Sequence, residues 1–71
     1  MATKIYVFYG ESGFEKAERL INLALAMDIK PSCIDMMQDS DECPSIYVAI
    51  HCYLTEHTKL LQCENLLDNE N

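Results

Sequence analysis

A chain of 71 residues has room for one domain, and we expect residues 1–71 to form a single domain with a frayed tail over residues 68–71. Hydrophobic residues make up 49% of the chain and Gly and Pro are scarce, which favours a packed globule over a disordered chain. Twelve acids against five bases give a formal net charge of −7. This charge opposes direct binding to nucleic acid or to an anionic membrane.

The N-terminal stretch MATKIYV lacks the cationic segment and the apolar core of a signal peptide. No apolar run approaches the roughly 20 residues that are needed to cross a bilayer. We therefore expect a cytoplasmic protein, in the host cytoplasm if it is viral. In that reducing compartment the four cysteines are expected to be free and mainly buried: Cys33, Cys43, Cys52 and Cys63.

The first predicted element is a strand over Thr3 to Tyr9, in which every residue from Ile5 onward is apolar. Such a run is typical of a central strand, or of a strand that is paired across an interface. Gly10 ends it, and a helix is predicted over residues 13–28. Ser12 is its expected N-cap, with Glu15 completing a capping box.

The second half of this helix, LINLALAM, is apolar on almost every side. A helix of this kind is covered on more than one face, and in so short a chain the second cover can be another copy of the protein. We therefore predict a homodimer. Its self-association residues are Leu20, Leu23, Ala24 and Met27.

Two more strands are predicted, near residues 32–37 and 45–54, and a final helix near residues 56–68. The order strand, helix, strand implies a right-handed crossover and parallel pairing. The predicted fold class is therefore α/β, with a small, mostly parallel three-stranded sheet and two helices in the order βαββα. The alternative is one long amphipathic helix from Ser45 to Leu67, which gives a βαβα unit.

The stretch VFYGESGFEKAERLI resembles the strand, glycine turn and helix that hold the flavin phosphate in flavodoxin-like proteins. Here the turn keeps only one hydroxyl, Ser12, and places two carboxylates near it, Glu11 and Glu15. We therefore predict no cofactor.

The stretch Cys43–Val48 resembles the proline and strand of glutaredoxin-like proteins of the thioredoxin fold. The C-x-x-C motif of that family is absent, because Gly13–Lys16 occupies the corresponding region. The resemblance implies one alternative function, a thiol redox protein that uses Cys43 or Cys33.

Metal-capable side chains cluster only at His51, Cys52 and His57, to which Cys43 or Cys63 can be added. The C-x₂₋₄-C half of a zinc site is missing, so we predict no metal and keep a metal-stabilised interaction module as a second alternative. No catalytic constellation is recognised either, and the chain is predicted not to be an enzyme.

Acidic residues form two blocks, one before residue 43 and one at the C-terminus. They are the predicted partner-binding residues: Asp35, Asp39, Asp41, Glu42, Glu64 and Asp68. In outline the chain resembles small acidic inhibitors encoded by phages, whose carboxylates imitate phosphates. We therefore predict a non-enzymatic protein that binds and inhibits or modulates a larger host or cellular protein, such as an ATPase, a host defence enzyme or another nucleic-acid-handling enzyme.

Overall fold

The computed structural model describes residues 2–39 and 45–68, with the backbone alone at Leu54. Its elements are three strands, two helices and two single 3-10 turns. In chain order they are β1 (Ala2–Tyr9), α1 (Gly13–Ala26), a 3-10 turn (Pro31–Cys33), β2 (Ile34–Gln38), β3 (Ser45–Cys52), a 3-10 turn (Leu54–Glu56) and α2 (His57–Asp68).

The sheet has the strand order β1-β3-β2, and both pairings are antiparallel. The prediction of a mostly parallel α/β sheet is therefore wrong, and the arrangement is α+β. Parallel neighbours need a crossover of a dozen or more residues, whereas only residues 39–44 connect β2 to β3. The alternative of one helix from residue 45 to residue 67 is also wrong, because β3 occupies the first part of that segment.

The core lies between one face of the sheet and the two helices. β3 is the central strand, and its side chains at every second position, Ile46 to Cys52, are buried. They pack against buried residues from both helices and from the loop after α1: Ala17, Leu20, Ala24, Ile29, Leu60 and Cys63. Tyr6 and Phe8 of β1 pack at the margin of the same cluster. All of the helical cover therefore lies on this one side.

β1 is an edge strand, although its apolar run predicted a central position. Its register with β3 pairs Tyr6 with Val48 and Phe8 with Ile46, so its even-numbered side chains face the helices. Because side chains alternate along a strand, the odd-numbered ones face away from them. Among the described residues no second layer covers this side, so its apolar side chains lie at the surface.

Gly13, the first residue of α1, lies close to the backbone of β1. A Cβ atom at Gly13 would lie 3.2 Å from the backbone carbon and oxygen of Phe8, so this first helical position has little room for a side chain. Ser12 is the N-cap residue, but its side chain makes no capping hydrogen bond. The predicted capping box is therefore not formed.

α1 ends at a Schellman motif, two residues before the predicted end. Asp28 takes a positive φ of 67°, its N–H donates to the carbonyl of Leu25, and the N–H of Ile29 donates to the carbonyl of Ala24. Ile29 is buried and belongs to the same core cluster as Ala24. The motif turns the chain back toward the sheet before Pro31 is reached.

Candidate interaction surface

The face of the sheet that points away from the helices is a candidate interaction surface, which we call the open face. Nine side chains from the three strands form it: Thr3, Ile5, Val7, Tyr9, Asp35, Met37, Tyr47, Ala49 and His51. Ile5 is 61% exposed and Met37 is 69% exposed, although both are large and apolar. A groove of about 430 Å³ runs across this face from Ile5 to Met37. Of the described residues, none covers it.

The composition of the open face differs from that of the chain. One of its nine residues is charged, Asp35, whereas charged residues make up 24% of the whole chain. Tyr and Met are enriched in the cores of protein interfaces and charged residues are depleted there. Both features are present in this surface.

A chain of hydrogen bonds crosses all three strands at one end of the open face. The Thr3 hydroxyl lies 2.7 Å from Nδ1 of His51, and Nε2 of the same ring lies 3.0 Å from a carboxylate oxygen of Asp35. A neutral imidazole satisfies both contacts if Nε2–H donates to Asp35 and Nδ1 accepts from Thr3. These bonds connect β1, β3 and β2 through side chains and fix the polar border of the apolar groove.

Hydroxyl, imidazole and carboxylate are also the groups of a nucleophilic acyl-transfer triad. In such triads the carboxylate is buried and holds the imidazole in one orientation. The Asp35 side chain is 69% exposed, so water competes for its oxygens. The arrangement therefore acts as a cross-strand connection.

A second polar cluster lies on the helix side, between β1 and α2. The Glu64 carboxylate accepts a hydrogen bond from the Tyr6 phenol and forms a salt bridge with Lys4, whose ammonium lies 5.5 Å from the centre of the Tyr6 ring. Burial, followed by the hydrogen bond to Glu64, raises the pKa of Tyr6 above its usual value. Burial acts to raise the pKa of Glu64 as well, but the bonds from Lys4 and Tyr6 outweigh it and lower that pKa.

The predicted acidic residues do not form one surface. Asp35 lies on the open face, Asp39 is exposed just after β2, and Asp68 is exposed at the end of α2. Glu64 belongs to the polar cluster with Lys4 and Tyr6 on the helix side. Asp41 and Glu42 lie outside the described residues. Partner binding by these carboxylates stays a prediction.

Three of the four predicted self-association residues lie in α1 and the fourth, Met27, is its C-cap residue, and all four pack within the chain. Leu20 and Ala24 are fully buried in the core, and Leu23 and Met27 are partly buried against it. Packing against the chain's own sheet and second helix thus accounts for much of the apolar character of α1. Self-association stays a prediction.

The described cysteines are free, and they do not form a group. Cys52 and Cys63 are buried in the core, whereas Cys33 is half-buried in the turn before β2. Burial raises the pKa of the Cys63 thiol, which keeps it protonated. Cys43, the other predicted redox residue, lies outside the described residues.

The predicted metal ligands are separated by the pleat of β3. His51 points to the open face, and its neighbour Cys52 points into the core. His57 is exposed at the start of α2. Within residues 2–39 and 45–68, no group of three or more His, Cys, Asp or Glu side chains is placed to hold a metal ion.

Comparisons with protein families, with characterised proteins and with solved structures find no match to this chain. Neither of the two described helices has the length and apolar character that crossing a bilayer requires.

The open face was missed in the sequence because its residues are divided among three separate strands. The sequence does show which residues of one strand share a face, because successive side chains point to opposite sides. In β1, Ile5, Val7 and Tyr9 share one face, and Tyr47 and Ala49 share the corresponding face of β3. These positions can be joined into one surface only when the antiparallel register is known.

Proposed function

We propose that this chain is a non-enzymatic protein that binds a larger partner protein through the open face and thereby inhibits or modulates it. The observation that carries the proposal is an apolar sheet face with one carboxylate, on a chain with a net charge of −7. Large exposed apolar patches with polar borders mark protein interaction sites.

The partner surface that fits is apolar at its centre and basic around it. The centre would cover Ile5, Val7 and Met37, while basic side chains at its border would meet Asp35 and Asp39. Complementary charge raises the association rate, and the buried apolar area supplies most of the affinity. A concrete form of the proposal is a phage-type inhibitor of a host defence or nucleic-acid-handling enzyme.

The test begins with capture of binding proteins from the native or host cell, followed by affinity measurement with the purified partner. A double variant of the open face, Ile5→Ala with Met37→Ala, is compared with a double variant of exposed leucines on α2, Leu61→Ala with Leu66→Ala. Both variants remove two exposed apolar side chains, and circular dichroism checks that each is folded.

Burying one large apolar side chain stabilises a complex by about 1.5–3 kcal/mol, and these two are already partly covered in the free chain. The open-face variant should therefore lose about 10- to 100-fold in affinity. The α2 variant should bind like the wild type. The proposal fails if no protein is retained at low salt, or if both variants bind equally well.

A further inference from the structure

β2 is an edge strand that lacks three of the usual protections against strand addition. Among the described residues it pairs only with β3, in an unbroken register from Ile34 opposite Ile50 to Gln38 opposite Ile46. Natural edge strands are commonly blocked by a proline, a lysine or a bulge. The sequence IDMMQ contains neither residue, and its pairing contains no bulge.

β2 also extends beyond the helical layer. Four of its five residues are exposed. Met36 points to the helix side and is nevertheless 48% exposed, because α1 packs mainly against β3 and β1. Met37 is exposed on the opposite side. A strand added next to β2 would therefore find apolar surface on both of its faces.

Charge distinguishes β2 from the other edge strand. Asp35 lies within β2 and Asp39 follows it, whereas the only charged residue of β1 is Lys4. An acidic edge attracts an extended segment with basic side chains. At β1 the charge of Lys4 is paired with Glu64, so that edge has no unpaired acidic charge of its own to attract such a segment. Two copies of β2 would instead bring like charges together, on chains that each carry −7.

We propose that the β2 edge accepts an extended segment of basic and apolar residues from the partner protein as a fourth strand of the sheet. Main-chain hydrogen bonds to the free edge of β2 provide the affinity, and a basic side chain next to Asp35 provides the selectivity. This inference rests on the proposed function, because it names the structural element of the partner that binds.

The probe is a capped hexapeptide of alternating lysine and valine, titrated into the ¹⁵N-labelled chain at low salt. We expect amide chemical-shift changes and slower hydrogen exchange at residues 34–38, and much smaller changes at residues 2–9. A glutamate–valine hexapeptide of the same length should not bind. Higher salt should weaken binding of the lysine peptide.

Asp35→Asn keeps an oxygen acceptor for His51 and removes the charge, so it should weaken binding of the lysine peptide about twofold to fivefold. Asp28→Asn makes the same chemical change away from β2, at a positive φ that Asn tolerates, and should leave binding unchanged.

Three results would overturn the inference: no change at residues 34–38 up to millimolar peptide, larger changes along β1, or concentration-dependent pairing of the chain with itself through β2. Its failure can be separated from failure of the proposed function by Ile5→Ala, which leaves β2 intact. If that variant loses the captured partner while the hexapeptide does not bind, only the strand-addition inference is wrong.

Discussion

Replacing Glu64 with Gln tests whether this carboxylate stabilises the fold rather than binding a partner. The change removes the charge that Lys4 and Tyr6 contact and preserves the size of the side chain. The Lys4 side chain is 42% exposed, so this ion pair contributes only about 0.2–1 kcal/mol. Exchanging a charged for a neutral acceptor of the Tyr6 hydrogen bond costs about 1 kcal/mol more. We expect the free energy of unfolding to fall by about 1–2 kcal/mol at pH 7.

The loss of stability in Glu64→Gln should depend on pH. The pKa of Glu64 is lower in the folded chain than in the unfolded chain, so its stabilisation is present above the unfolded pKa and is lost as the pH falls through the folded pKa. The gap between wild type and Glu64→Gln should therefore close below about pH 4, near the reference value of a glutamate.

Urea denaturation followed by circular dichroism between pH 7 and pH 2 measures this gap. Glu18→Gln, at an exposed position of α1, is the matched control and should behave like the wild type. A gap that stays constant over the whole pH range would refute the reasoning, and so would equal stability at pH 7. Loss of partner binding with unchanged stability would show that Glu64 belongs to the interaction surface.

Two further substitutions test the buried side chain of Leu20 and the phenol of Tyr6. Leu20→Ala removes a fully buried side chain and should lower the free energy of unfolding by about 3–5 kcal/mol in urea denaturation, whereas Leu25→Ala, which is exposed on the same helix, should cost less than about 1 kcal/mol. The raised pKa of Tyr6 means that its stabilisation is complete below the unfolded pKa of about 10 and decreases as the pH rises above it. Tyr6→Phe should therefore flatten the loss of stability between about pH 9 and pH 11, and an unchanged alkaline profile would contradict this.

The order of the elements could be predicted from the sequence, because each one has a local signal. β-Branched and aromatic residues indicate β1 and β3, and residues 13–26 carry the apolar spacing of a helix. The pairing could not be predicted from those signals, because a strand–helix–strand order does not show whether a third strand lies between the two strands. β1 and β2 do point in the same direction, but β3 lies between them. The short connection from Gln38 to Ser45 was the available evidence for an antiparallel hairpin.

The candidate surface was less predictable than the fold. The large number of acidic residues suggests a binding surface, but number does not show which carboxylates are available. Glu64 forms a salt bridge with Lys4, and Asp35 bonds to His51. The exposed apolar residues of the open face are of the same types as the residues of the core. Ile5 and Ile50 cannot be told apart by residue type, since their burial depends on which side of the sheet the helices cover.

The position of β1 also affects the order in which the chain can fold. Within residues 2–39 and 45–68, β1 pairs only with β3, and Ala2 lies opposite Cys52, which is synthesised about 50 residues later. β2 and β3 form a local hairpin with a low cost of loop closure, whereas β1 must close a long loop that contains α1. We therefore expect β1 to complete the sheet late. Until then the apolar run of β1 has no sheet partner, and exposed apolar strands of this kind favour aggregation.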